Sequence, residues 1–211
     1  MMIDLYTWST PNGRKVSIML EEIGLPYGVL PVDLTKGEQN SPAFTRLNPY
    51  NKVPVIVDHK ENVTLIESGA ILMYLARKTG KLLHKSGTSQ YWDEMQWLMF
   101  QMGNVGPMLG QCHHFVKFNP GKSAYAEERY RNETRRIYAV LESRLAKRQY
   151  LARDYSIADI ATWPWVSRYE FQQIDLNDYP SVKRWYLNIA ERPAVQAGYK
   201  VPQDLPVPIP V

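Results

Sequence analysis

The hydrophobic period of this chain changes near residue 80, and no other feature limits its possible folds so strongly. Before that point, short apolar runs alternate with helical stripes. Ile3 to Trp8 is apolar and aromatic, the content of a strand. Val16, Met19, Leu20 and Ile23 fall at i, i+3, i+4 and i+7, the spacing of an amphipathic helix, and Gly24 ends it. Val29 to Leu34 reads as a second strand, followed by a polar stretch with a helical turn near 42–47. Val53 to Val57 and Val63 to Ile66 flank Asp58 to Asn62 as a hairpin. Ser68 to Lys78 then carries Ile71, Leu72 and Leu75 on one helical face before Gly80. Beyond residue 90 every periodic segment is helical: Trp92, Met95, Met99 and Met102 stripe one helix, and Tyr130, Thr134, Ile137, Leu141 and Leu145 another.

The order is β-α-β followed by β-β-α. A helix between the first two strands favours a parallel, right-handed crossover, whereas the short later loop favours antiparallel pairing. That is a thioredoxin-like α/β domain, here followed by an all-α domain. The expected boundaries are 1–80 for the thioredoxin-like domain, 81–90 (rich in Gly, Ser, Thr and Lys) for a linker, 91–200 for the helical domain and 201–211 for an extended proline-rich tail. Within the helical part, Gly103, Gly106, Pro107 and Gly110 predict a kink or break. Ser156 to Asp159 has the form of a capping box ahead of an apolar run. Ser181 to Ile189 predicts the last helix.

Composition narrows the function classes. The 211 residues are 45% hydrophobic and 22% charged, which excludes wholesale disorder. No apolar run approaches the roughly 20 residues of a membrane span, and MMIDLYTW is not a signal-peptide pattern, so a cytoplasmic protein without membrane partners is expected. The single cysteine, Cys112, excludes an internal disulfide, a CxxC pair and a multi-cysteine metal site. Adjacent His113 and His114 do not share a helix face and have no carboxylate at i+3 or i+4, so no metal is expected there either. Net charge is +4, with ten basic and four acidic residues in 117–153. Glu127, Glu128, Glu133 and Glu142 dilute that excess at helical intervals, which favours a solvated helix face or attraction of a small anion over nucleic-acid binding.

Three short segments carry chemistry. Ser9-Thr10-Pro11-Asn12-Gly13 places small hydrogen-bonding side chains at a helix start, where free N–H groups and the dipole favour negative charge; Thr10 is equally an ordinary cap with Pro11 at the first helical position. In Asn51-Lys52-Val53-Pro54, a proline opening a strand leaves the backbone of Val53 outside the ladder and available to a peptide-like ligand, while Lys52 suits a carboxylate; a plain edge-strand proline is the alternative. Glu67-Ser68-Gly69-Ala70, again at a helix start, offers Ser68 and backbone N–H groups to a carboxylate and Glu67 to an ammonium, or simply caps the helix.

The succession TPNG, KGEQ, NKVP, ESGAILMYLA, GPMLGQxHHF, ERYxxET and YSIADIAxWPW resembles the cytosolic glutathione transferases over residues 2–195. More narrowly it resembles the bacterial Nu class, a disulfide-reductase type, and the glutathione-transferase-like domain of the yeast nitrogen-regulating prion protein. The resemblance implies glutathione as co-substrate. Thr10 and Asn12 would lie at the glutathione sulfur. Val53, before Pro54, would pair with the cysteinyl backbone, Glu67 and Ser68 would hold the γ-glutamyl end, and Lys52 and Gln39 the glycyl carboxylate region. Arg129 would reach the neighbouring subunit's site in a homodimer, making the basic segment a lining of the dimer cleft. Tyr6 and Ser9 are lesser candidates for thiol activation, and Cys112 reads as a small buried apolar residue.

The activity implied is glutathione-dependent reduction of a small disulfide, glutathione supplying both thiols, with possible peroxidase activity alongside. A free thiol with a pKa near 8.5 is only about 3% thiolate at neutral pH, so donors at a helix N-terminus have a clear task. Conventional conjugation of glutathione to electrophiles and a glutathione-binding regulatory protein of little activity are the alternatives.

Overall fold

In the computed structural model, which describes residues 3–210, the alternation of the first eighty residues becomes a four-stranded mixed sheet. Its strands are β1 (Ile3–Thr7), β2 (Tyr27–Pro31), β3 (Val55–Asp58) and β4 (Val63–Leu65), in the spatial order β2-β1-β3-β4. β1 runs parallel to β2, joined by helix α1 (Pro11–Ile23), and antiparallel to β3, which pairs antiparallel with β4. α2 (Pro42–Leu47) and α3 (Ser68–Thr79) complete the predicted elements. β2 starts two residues earlier than its apolar run suggested. It is an edge strand paired only with β1, and Val29 and Leu30 on it are exposed, so their hydrophobicity did not mark the centre of a buried strand. The core is made by Ile3, Leu5, Val55 and Ile56 from the sheet with Val16, Met19, Leu20, Ile71, Leu72 and Leu75 from α1 and α3, all wholly buried.

This unit is not continuous in sequence. It comprises residues 3–81 together with 191–207. The added segment contains α9 (Pro193–Tyr199), which packs on α1. Gly198 permits the contact, since a Cβ there would lie 2.6 Å from the backbone nitrogen of Ile18. Ser17 Oγ donates to the Gly198 carbonyl at 2.6 Å, and Arg14 Nε donates to the Tyr199 carbonyl at 3.2 Å. The Arg14 guanidinium also lies 3.5 Å over the Tyr199 ring, and Arg192 pairs with Glu22 at 2.6 Å.

Residues 82–190 and 208–210 form the second, helical unit. The expected linker 81–90 belongs largely to it: Ile157 N donates to the Leu82 carbonyl at 3.0 Å, and the His84 backbone N–H donates to Glu94 at 2.9 Å. α4 (Ser89–Phe100) passes without a break through a π-helical turn at Gln101–Val105 into α5 (Gly106–Cys112), and a second π turn follows at His113–Phe118. The predicted kink or break at the glycines and proline takes the form of a wider helical turn, and Gly110 lies against the Trp165 ring. α6 (Ala124–Leu145), α7 (Ile157–Val166) and α8 (Pro180–Ala190) complete the unit. The capping box at the start of α7 is present: Ser156 accepts from the first turn and Asp159 returns a carboxylate to the Ser156 N–H at 3.1 Å. Tyr186 Oη donates to the Pro208 carbonyl at 2.6 Å, so the end of the proline-rich tail is anchored within this unit. Among the described residues no helix is long and apolar enough to cross a membrane.

Candidate functional site

The sheet register brings the three chemistry-bearing segments of the first unit to one end of the sheet. Tyr6, near the carboxyl end of β1, pairs with Val55, the first residue of β3, and Ile56 pairs with Leu65, the last residue of β4. The chain therefore leaves β1 toward Thr10, enters β3 from Val53 and Pro54, and leaves β4 toward Glu67 and Ser68, all at the same edge. The carboxyl end of β2 lies there too, since Thr7 pairs with Pro31, and it leads to the single turn containing Gln39 (Glu38–Asn40).

At the first segment Thr10 caps α1, with extended backbone angles and its Oγ1 accepting from Gly13 N–H at 3.0 Å. That oxygen accepts from the backbone, and its own O–H remains available as a donor. Cap and ligand donor are compatible roles for one hydroxyl. Gly13 is demanded by crowding: a Cβ there would strike the Trp8 carbonyl and the Thr7 hydroxyl. Asn12 occupies the first turn of the same helix and is half-buried, as are Ser9 and Tyr6; Tyr6 lies within β1 against Phe44.

At the second segment the Val53–Pro54 peptide is cis, and both residues precede the ladder, which starts at Val55. Asn48, buried at 3% exposure, holds the loop: its Nδ2 donates to the Lys52 carbonyl at 2.7 Å, and its Oδ1 accepts from Tyr50 N–H at 3.0 Å. The Lys52 side chain is left exposed, 5.5 Å from the Tyr50 ring centroid. Gln39 adds an acceptor, since its Oε1 is buried and has no hydrogen-bond partner among the described residues. A buried orphan carbonyl costs about 1–3 kcal/mol, a cost that a ligand N–H would relieve.

At the third segment Glu67 is exposed and has φ +67°, a left-handed value uncommon for a residue with a side chain. It precedes α3 directly, so its carboxylate stands at the positive end of the helix dipole. Ser68 follows, buried at 4% exposure, and accepts from Lys15 Nζ at 3.2 Å. Lys15 is itself only 1% exposed, and burial pushes its ammonium down to about 7 despite the pull of the Glu67 carboxylate. No sequence expectation included Lys15. The signal was present, because Lys15 falls four residues before Met19, on the apolar stripe of α1, where a lysine must be buried.

Arg129 lies in the helical unit, exposed on α6. Several basic side chains of that unit have acidic partners: Arg131 with Glu127 at 3.2 Å, Arg136 with Glu133 at 2.6 Å and Arg144 with Asp93 at 2.7 Å. Cys112 is wholly buried and burial pushes its thiol up. His113 is buried against Trp165, 3.1 Å from Gln172 Nε2, and burial lowers it to about 4, a neutral packing histidine. Among the described residues no group of three or more His, Cys, Asp or Glu is placed to hold a metal ion.

A thioredoxin-like sheet with a capped anion-facing helix, a cis-proline strand entry and a Glu-Ser helix start, followed by a helical domain, defines a class, and comparison agrees with it. Residues 1–77 match the N-terminal domain of glutathione S-transferases and residues 105–193 match the C-terminal domain. The chain belongs to the glutathione S-transferase family.

Among its relatives is the disulfide-bond oxidoreductase YfcG of Escherichia coli (strain K12), 51% identical over 199 residues, covering 92% of each protein. The URE2 protein of Debaryomyces hansenii is 34% identical over 230 residues, covering 89% of this chain and 74% of that protein. A glutathione transferase from Pseudomonas putida, solved with one glutathione disulfide bound per subunit, superposes with a TM-score of 0.88 at 44% identity, covering 95% of this chain and 91% of that one.

Proposed function

We propose that this chain is a glutathione-dependent disulfide-bond reductase of the Nu type, acting as a cytoplasmic homodimer. The observation that carries the proposal is the burial of its one thiol. The site end of the sheet gathers a hydroxyl, a free strand entry and two helix starts, while Cys112, the only cysteine, is buried in the helical unit with its thiol pushed up. The reacting sulfur must then come from the ligand. Relatives that are disulfide-bond oxidoreductases, or that bind glutathione disulfide, support the same choice.

The family resemblance supplies the glutathione assignment, and the chemistry of the site residues suits it. Val53 N–H and C=O pair with the cysteinyl amide, and Glu67 and Ser68 take the γ-glutamyl ammonium and carboxylate. Lys52 and Gln39 take the glycyl end, Lys52 by charge and Gln39 Oε1 by accepting an amide N–H. The Thr10 hydroxyl and the Asn12 amide donate to the sulfur and favour thiolate. That thiolate attacks one sulfur of the substrate disulfide, forming a mixed disulfide and expelling a substrate thiolate that takes up a proton. A second glutathione thiolate attacks the glutathione sulfur of the mixed disulfide, releasing the other substrate thiol and glutathione disulfide. Two electrons pass from two glutathiones to one disulfide, and no protein thiol changes state. Arg129 is assigned to the partner subunit's site, where its charge attracts the anionic ligand.

The test is turnover of bis(2-hydroxyethyl) disulfide with glutathione, measured beside conjugation of chlorodinitrobenzene, for wild type and Cys112→Ala. Disulfide turnover well above conjugation, retained within about twofold in Cys112→Ala, is expected from a thiol that plays no chemical part. Loss of turnover in a folded Cys112→Ala protein would overturn the mechanism.

A further inference from the structure

The mechanism makes no use of Lys15, an amine wholly buried in the first unit. It sits in the second turn of α1, 1% exposed, with Nζ 3.2 Å from Ser68 Oγ at the first turn of α3. An ammonium can only donate, so Ser68 Oγ is the acceptor in this bond and its own proton is turned away from Lys15. Ser68 is also the residue assigned above to a ligand carboxylate. We infer that Lys15 is a positioning residue for that carboxylate: its ammonium fixes the Ser68 hydroxyl as a donor to the α-carboxylate of a γ-glutamyl group and adds a buried positive charge behind it. The inference rests on the glutathione assignment and extends it to a residue outside the ligand's contact shell.

The surroundings make the charge responsive. The Glu67 carboxylate, at the start of α3, acts on Lys15 and favours the ammonium. Arg77 on α3 is exposed, and several other charged groups on the packed elements have partners of their own. On β1, Asp4 pairs with His59; on α3, Tyr74 and Lys78 pair with Asp58. On α9, Tyr199 lies under Arg14, and beyond it Lys200 pairs with Asp204. With burial bringing Lys15 down to about 7, its proton is shared near neutrality, and an arriving carboxylate draws it back on. Ligand binding and proton uptake are then linked, each strengthening the other.

The probe is S-methylglutathione, which keeps the γ-glutamyl group and has no titrating thiol. Calorimetry at pH 7.5 in two buffers of different ionisation enthalpy counts the protons exchanged. About three quarters of free sites are uncharged half a unit above a pKa of about 7, so uptake of about half a proton is expected at pH 7.5 and little at pH 6. Lys15→Arg, permanently charged, keeps the affinity and abolishes the uptake. Lys15→Met abolishes the uptake and weakens binding about tenfold at pH 6, the effect of one charge-assisted contact. Binding by wild type without proton uptake at pH 7.5 overturns the role of Lys15 and leaves the glutathione assignment standing. A Lys15→Met protein that binds with wild-type affinity and pH dependence does the same. If Lys15→Met does not fold, the wild-type proton count decides alone. Absence of binding by wild type at every pH removes both.

Discussion

Replacing Thr10 separates its two roles, because the cap and the donor have different signatures. In Thr10→Ala the Gly13 N–H loses the acceptor it meets at 3.0 Å. Loss of such a cap costs about 1 kcal/mol, which lowers the melting temperature by about 2–4 °C in a chain of this size. The donor role has a different scale. A hydrogen bond to a charged group contributes about 1.5–3 kcal/mol, and 1.36 kcal/mol equals one pKa unit, so the bound glutathione thiol should rise by about 1–2 units. Turnover is a poor monitor of that rise. From a bound thiol near about 6.5, thiolate at pH 7 falls about 3–25-fold, but the more basic thiolate attacks faster with a Brønsted slope of about 0.4–0.5, leaving a net loss of about 1–4-fold. The assay is therefore the ultraviolet titration of thiolate in the enzyme–glutathione complex from pH 5 to 10, for wild type, Thr10→Ala and Thr10→Ser. The serine variant should keep the wild-type midpoint. An unchanged midpoint in Thr10→Ala, accompanied by the expected loss of melting temperature, would reduce Thr10 to a helix cap and refute its place at the sulfur.

Other consequences can be checked on stability and structure. Gly13→Ala drives a methyl group into the Trp8 carbonyl and the Thr7 hydroxyl, so it should destabilise by about 1–3 kcal/mol in denaturant melts and reduce glutathione affinity with it. Asp159→Ala strands the N–H groups of Leu151, Ser156 and Trp185, which meet the carboxylate at 2.9, 3.1 and 2.9 Å; a loss of about 3 kcal/mol or more, at about 1–3 kcal/mol per stranded donor, is expected by urea denaturation. Two buried groups act oppositely in the same acidic window. Asp159 is raised to about 6, so the native state gains protons first and this term stabilises as pH falls from 6 toward 4; His113 is lowered to about 4, so its term is lost as pH falls from 6.5 toward 4. Proton NMR of the His113 imidazole should show it neutral at pH 5, and a midpoint near 6.5 would contradict its burial.

Much of the frame was legible because it is periodic. The α1 stripe, the hairpin, the Ser156 box and the α6 stripe each repeat a local signal often enough to be read from one sequence. The three segments at the candidate site were legible as helix starts and a proline-led strand, and their meeting at one sheet end follows once the register is known. What could not be read depends on partners far along the chain. α9 is seven residues long, too short for a periodic signal; only Pro193 at its first position marks it, and its place on α1 depends on Gly198 fitting against Ile18. β2 misled because an edge strand needs no buried centre. The glycines of 103–110 suggested a kink or break, and the irregularity there is a widened turn that keeps its hydrogen bonds. Lys15 was passed over because lysine is expected in solvent, although its position on the apolar stripe already contradicted that.

The burial of Cys112 also sets the protein's dependence on its surroundings. A carrier with two active cysteines can hold an electron pair between encounters and deliver it later. This chain has a single, buried cysteine and can hold none. Under the proposed chemistry its driving force at any moment is that of the glutathione pool, which varies as the square of glutathione concentration over that of the disulfide. Dilution alone, at a fixed ratio of the two, would then weaken the reductant. The direction of the reaction belongs to the pool, and the protein sets only its rate.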